Sequence, residues 1–416
     1  MSKMYFKDII VAKDGMIKGP FGSDIKKSLF VPKGKNTYKV YEQGVVYNSD
    51  VNYGNYYITE QYYHEKMERF KVKAGDILIT GAGTLGELFI MPQSFEPGII
   101  NQALIRIRLN ESKIDKQFFK YYFFYYIKTI VCNINGDSVI PNLPPLSVIK
   151  ETEINIPDLI EQRKIANILN NIDEKISNND KIALKLEKII CSIFNFWFYQ
   201  FQFPDSSNLS YKYNGGKMYW NEELEINIPI GWTVDNLSSI INVTMGSSPK
   251  GDSINVEKNG IIFYQGKTDF GVRYPYIRAY SSKPVRYAEA GDVLLSVRAP
   301  VGALNCAYSK CCIGRGIAAL NYKYHSYLYY LMLENRFQFD KYNKEGTTFG
   351  SINRDTLKSL KIINPPENII KKFEEKVEGM DNQIRNYYDE NLCLEETKKF
   401  LLPLLMNRKV TFKDQQ

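Results

Sequence analysis

Histidine is almost missing from this chain: His64 and His325 are the only two among 416 residues. Both stand among tyrosines, in "QYYHEKM" and "YKYHSYL", which suits packing or surface positions. With so few imidazoles, a serine or cysteine nucleophile lacks a plausible base. Cysteine is sparse as well, at 132, 191, 306, 311, 312 and 393, with no Cys-x-x-Cys pair. A structural zinc site needs clustered thiolates or imidazoles, so none is expected. Cys306, Cys311 and Cys312 read instead as buried filler in a strand, and free thiols suit a reducing cytoplasm.

Long apolar runs are also lacking. The most apolar stretch, "IICSIFNFWFYQFQF" from Ile189 to Phe203, is interrupted by Asn195, Gln200 and Gln202. It falls short of the ~18 uninterrupted apolar residues of a membrane span. The opening "MSKMYFKDIIVAKDG" holds no signal-peptide core, so the expected location is cytoplasmic, away from membranes. A phosphate loop of the GxxxxGK type is absent. The "EEK" at Glu374 lies in a helical pattern, where it reads as a solvated face and not a nuclease's acidic cluster.

What is present is an ordinary globular balance, 44% hydrophobic and 24% charged, enough for two or three domains. The net charge of +8 is unevenly placed. Segments 1–157 and 200–364 carry +4 and +5, whereas 158–199 is neutral and 365–408 carries −2. Basicity in two matched places points toward an extended polyanion.

Those two places are related in sequence. "AGDILITGAGTLGELF" from Ala74 recurs as "AGDVLLSVRAPVGALN" from Ala290, and "INQALIRI" at Ile100 as "IGRGIAAL" at Ile313. "FKYYFFYY" at Phe119 answers "LYYLMLEN" at Leu328, and Pro157 answers Pro365. The matches keep one order, as expected of one unit present twice. "GDILIT" and "GDVLLS" read as strands behind a Gly-Asp turn, and "QFFKYYFFYYIKTIV" from Gln117 as a core helix. "GAGTLG" at Gly81 reads as a turn between strands and not as a cofactor loop.

A long helical pattern follows each unit. Ile165, Leu169, Ile172, Ile176, Ala183, Leu186, Ile190 and Ile193 advance in steps of four and three, with Asn179 in the one gap. Phe373, Val377, Met380, Ile384, Tyr387, Leu394 and Leu401 repeat the register, with Asn391 and Lys398 at seam positions. This is a heptad seam, roughly 43 Å long in the first helix at 1.5 Å per residue. The expected fold is α+β: two mainly β domains with some helix, joined by two long helices packed as an antiparallel coiled coil, a pseudo-two-fold internal repeat. The boundaries are 1–157 and 200–364 for the domains, 158–199 and 365–408 for the helices, and 409–416 for a tail. A seam asparagine costs stability but can fix register. Phe194, Phe196, Trp197 and Phe198 form more aromatic surface than a two-helix pair buries, which suggests another protein surface or the neighbouring domain.

At this point the sequence resembles the specificity (S) subunits of type I restriction-modification systems. The marks are "PDLIEQRKIANILNNIDEKI" from Pro157, "IKGPFGSDIKK" at Ile17, the "GDILIT" run at Gly75 and "INQAL" at Ile100. The likeness covers essentially the whole chain, although "IIKKFEEKV" in the second helix lacks the Glu161–Gln162 pair. The resemblance implies a non-catalytic subunit whose two target-recognition domains each read one half of a bipartite, asymmetric site in double-stranded DNA. The helices would set the spacer and dock two methyltransferase subunits, with endonuclease/translocase subunits joining for restriction. No cofactor is implied in this chain; AdoMet, ATP and Mg²⁺ belong to the partners.

Base edges are read by Arg, Lys, Asn and Gln, and phosphates by Lys, Arg and loop amides. The candidates are Lys18, Lys26, Lys27, Asn101 and Gln102 in the first domain. In the second they are Lys250, Lys267, Arg273, Arg298, Arg315 and Arg354. The alternatives are a stand-alone two-domain DNA-binding regulator with a coiled-coil scaffold, or a methyltransferase. The last would rest on "NPPE" at Asn364, where Glu367 replaces the needed aromatic and a helix start explains the prolines better.

Overall fold

The computed structural model describes residues 4–81, 87–134, 143–344 and 350–410, with the side chains of 127–134, 341 and 344 outside that description. Most of "GAGTLG" and the Cys132 side chain therefore lie outside the described residues. The chain divides into two units, Met1–Glu174 with Leu394–Gln416, and Lys175–Cys393.

In the first unit the strands of the two main sheets are β1 (Met16–Lys18), β2 (Thr37–Tyr41), β3 (Tyr57–Thr59), β4 (Ile77–Thr80), β5 (Leu88–Ile90), β6 (Gly98–Ile100) and β7 (Leu104–Ile107). One antiparallel sheet has the order β1-β7-β4-β5. In the other, β2 lies antiparallel to β3 and parallel to β6. Helix α1 (Lys116–Ile134) follows, then the start of α2 (Leu159–Phe198). Strand β4 is buried on both faces, which suits the apolar run "ILI" that opens it. Ile77 and Ile79 pack with Phe118, Phe119 and Phe123 of α1 and with Ile165 and Leu169 of α2. Leu78 faces Tyr41, Ile100 and Leu104 instead.

The second unit contains β8 (Asn242–Met245), β9 (Ile254–Asn255), β10 (Ile261–Tyr264), β11 (Ala279–Ser281), β12 (Tyr287–Ala288), β13 (Val293–Ser296), β14 (Leu304–Cys306), β15 (Cys311–Ile313) and β16 (Ile317–Asn321). The strand order recurs: an antiparallel sheet β8-β16-β13-β14, and a second in which β10 lies antiparallel to β11 and parallel to β15. Here β9 and β12 extend the second sheet at its edges. Val293 and Leu295 of β13 face α3 (His325–Glu334) and α4 (Glu367–Met406), whereas Leu294 packs with Tyr264 and Ile313. Each unit thus mixes strands and helices. Cys306, Cys311 and Cys312 are buried in β14 and β15, as expected of filler.

The long helices meet in both units with opposite chain sense. Within the first, Asp173 of α2 takes Lys398 of α4, and Glu161 lies 3.3 Å from Arg408. Within the second, Asn179 bonds Asn391, and Phe194 stacks edge-on to Phe373. Of the seam residues, Ile165, Leu169, Phe373, Val377 and Ile384 are buried, while Ile172, Ile176, Leu186, Met380 and Leu394 are half-buried. Phe194, Trp197 and Phe198 enter the second unit's own core with Trp232, Tyr327 and Phe373, leaving only Phe196 of that group exposed. The aromatic surplus read from the sequence is therefore buried on the globular part. Among the described residues no helix is long and apolar enough to cross a membrane.

Candidate nucleic-acid interface

One device recurs beneath both candidate surfaces. Gly75 and Gly291 hold φ of +77° and +89°, a backbone state that favours glycine, and each precedes a buried aspartate. Asp76 accepts the Lys73 amide at 2.7 Å, and Asp292 accepts the Glu289 amide at 2.8 Å, so each carboxylate closes its own turn. The end of a neighbouring strand, or the residue just beyond it, supplies a further donor. Arg108 grips Asp76 at 2.7 and 2.6 Å in the first unit, and Asn321 donates to Asp292 at 2.6 Å in the second. Burial, only partly offset by the Asn321 bond, raises the Asp292 pKa. The first unit also buries Arg106, which donates to the carbonyls of Arg69, Lys71 and Asp14. Burial, reinforced by Arg108, pulls its guanidinium down to about 10.

The turn before β7, and its counterpart before β16, lies against a glycine. The Gly19 amide donates to Leu104 O at 2.9 Å and the Gly246 amide to Ile317 O at 2.9 Å. A Cβ on Gly19 would come within 1.8 Å of Asn101 O, and one on Gly246 within 2.2 Å of Gly314 O. Only glycine lets the two backbones approach so closely. The turns carry Asn101-Gln102-Ala103 in one unit and Gly314-Arg315-Gly316 in the other. A glutamine follows the adjoining strand in both. Gln43 lies 3.5 Å from Ala103 O, and Gln265 bonds Ser248 Oγ, which also accepts the Arg315 amide at 3.3 Å.

The structure sorts the candidates. Lys18 and Gln102 line one cleft of about 590 Å³, together with Phe21, Arg69 and Lys150. Lys26 and Lys27 are exposed on the loop that continues from it. Asn101 is half-buried, and its side-chain oxygen accepts the Ala103 amide at 3.0 Å, so it shapes the turn. In the second unit Lys267 and Arg298 line a cleft of about 490 Å³ that Gly316 borders, beside exposed Arg315. Lys250 is exposed at the end of the segment begun by Gly246. Arg354 is exposed at the start of a short helix capped by Asn353. Ser351 pairs with Arg298 and so brings that segment to the cleft's edge.

Arg273 corrects the sequence reading. It is 6% exposed, stacked 3.4 Å from the Tyr329 ring, and held by Asp381 at 3.2 Å and Glu187 at 3.5 Å. A guanidinium committed to two carboxylates inside the protein is not offered to a surface ligand. Nothing in the sequence distinguishes it from the exposed arginines. Phe21, Arg69 and Lys150 join the first cleft, and Gln43 and Gln265 the two turns, because separate loops converge only in the fold. The repeat did hold a signal for the glutamines, since "YEQG" and "FYQG" match.

Gln162, in the most recognisable motif, faces no ligand. It is fully buried, accepts the Asp115 amide at 2.7 Å and donates to Lys113 O and Pro157 O at 3.1 and 2.8 Å. It fastens the start of α2 to the loop before α1. Buried Ile370 takes the equivalent place in α4. "NPPE" likewise starts a helix: Asn364 donates to Asp235 at 2.9 Å and Glu367 accepts from Lys323 and Tyr324. Among the described residues, no group of three His, Cys, Asp or Glu is placed to hold a metal ion.

The family model described as "Type I restriction modification DNA specificity domain" matches residues 22–188 and again 229–390. A putative type I restriction enzyme MjaX specificity subunit from Methanocaldococcus jannaschii is 28% identical over 395 residues, covering 92% of this chain and 89% of its own. The MjaIX specificity subunit of the same organism is 27% identical over 375 residues, covering 86% and 82%. A solved type-I restriction-modification S subunit from M. genitalium aligns over 100% of this chain and 96% of its own, at 17% identity and a TM-score of 0.45.

Proposed function

Because the chain belongs to the type I restriction-modification specificity (S) subunit family, we propose that its two globular domains each read one half of a bipartite, asymmetric site in double-stranded DNA. The domains are 1–157 and 200–364, and the helices 158–199 and 365–408 set the spacer and dock two methyltransferase subunits. Endonuclease/translocase subunits complete the restriction enzyme. The chain itself does no chemistry, and AdoMet, ATP and Mg²⁺ act on the partners.

One observation carries the reading. The same glycine-supported turn occurs in both units but presents Gln102 in one and Arg315 in the other. A shared scaffold with different hydrogen-bonding tips is what two different half-sites require. Arginine pairs bidentately with guanine, and glutamine with adenine. Clefts lined by Lys18 and Arg69, and by Lys267 and Arg298, supply positive charge for phosphates beside each turn. Base flipping for methyl transfer belongs to the partner enzyme.

The test is single-molecule methylation sequencing of host DNA with the cognate methyltransferase, in the presence and absence of this chain. A bipartite adenine motif that depends on the chain is expected. No motif from a chain that still binds DNA would indicate a stand-alone regulator.

A further inference from the structure

The helices carry one carboxylate each at an equivalent place. Asp173 and Asp381 both stand sixteen residues beyond the matched prolines, Pro157 and Pro365. In the first unit, Asp173 accepts Tyr121 Oη at 2.7 Å and Lys120 Nζ at 3.1 Å, both from α1, and Lys398 from α4. In the second, Asp381 accepts Arg273 at 3.2 Å and the Ser326 hydroxyl, the latter from α3. Glu187 of α2 completes that cluster, accepting Tyr329 Oη at 2.7 Å beside the same guanidinium. Each carboxylate therefore joins a long helix to the globular part of its own unit, though the donors differ.

The chemistry suits orientation more than adhesion. Apolar side chains of α1 and α3 pack with those of the long helices, but such contacts are non-directional. A half-buried carboxylate with several donors is directional, and moving any donor leaves a polar group unpaired. Spacer discrimination needs this stiffness. One base pair more or less moves a half-site by roughly 3.4 Å and turns it by about a tenth of a helical turn.

We propose that Asp173 and Asp381 are positioning residues that fix the pose of each recognition domain on its helix and so restrict the spacer length accepted. This rests on the two-half-site reading above. The test produces Asp173→Asn, Asp381→Asn and the milder Ser326→Ala, each with the cognate methyltransferase, and records thermal unfolding of the purified complex beside its methylation motif. The expected result is folded complexes that read both half-sites unchanged but also methylate sites with spacers one base pair longer or shorter. Folded variants confined to the wild-type spacer overturn the proposal. Should Asp381→Asn fail to fold, Ser326→Ala, which removes one hydroxyl, decides for the second unit and Asp173→Asn for the first. A wild-type complex with no bipartite motif would instead fail the underlying reading, so the two failures are distinguishable.

Discussion

Asn179 of α2 donates to Asn391 of α4 at 2.9 Å, and both side chains are buried in a mainly apolar seam. Asn391 passes the chain on to Asp180 at 2.9 Å, and Asn179 also donates to Glu390 at 2.8 Å. A one-turn slip of either helix would set an asparagine against an aliphatic neighbour. The pair thus penalises every register except this one.

Removing one partner and removing both should differ in sign. Asn179→Leu alone takes the donor from the Asn391 side-chain oxygen and is expected to cost about 1–3 kcal/mol. Adding Asn391→Leu should recover that loss or exceed it, since Asp180 is half-exposed and can turn to water. Denaturant unfolding of both single variants and the double one completes the cycle. A double variant as weak as the sum of the singles would contradict the pairing.

Gln162→Leu should destabilise by about 2 kcal/mol or more. It leaves the Asp115 amide and the carbonyls of Lys113 and Pro157 without their partner inside the protein. Urea unfolding measures this directly. In α4 the exchange Ile370→Gln should be no gain, because it puts a carboxamide where the side chain packs into the apolar core.

Acid should weaken the first unit through Asp173. Burial raises its carboxyl, but hydrogen bonds from Lys398 and Tyr121 outweigh this and hold it below its ordinary 3.8. A depressed folded pKa contributes stability that is complete above 3.8 and is lost as pH falls through the lower folded value. Asp173→Asn should therefore be less stable than the parent at neutral pH and flatter below pH 4. Equal slopes for the two in acid unfolding would remove Asp173 from the account.

The surface candidates separate by the kind of loss. Replacing Lys26 and Lys27 by alanine should weaken binding to all sequences and reduce the logarithmic salt slope by up to about 1.8. Arg315→Gln should leave that slope nearly intact while relaxing discrimination at one position of one half-site by about 1–3 kcal/mol. Binding titrations at several salt concentrations, on matched and singly altered sites, tell the two apart.

The same division runs through what was legible in advance. Local pattern determined the elements: the heptad steps from Ile165 and Phe373 give helices of 40 residues each, and "GDILIT" and "GDVLLS" give the central strands. Such periodicities encode which face is apolar, and the recurrence of "AGD" encodes a turn that needs a left-handed glycine and a capping carboxylate. Tertiary structure decided everything that depends on which distant groups meet. Arg273 looks like any surface arginine until Glu187 and Asp381 enclose it, and Phe194 looks surplus until Tyr327 and Phe373 cover it. Gln162 reads as a motif letter until two backbone groups of the loop before α1 and one just before α2 converge on it. Sequence spacing fixes a residue's face on its own element; only the long-range fold sets the burial and partners that turn a charge into a clamp or leave it at the surface.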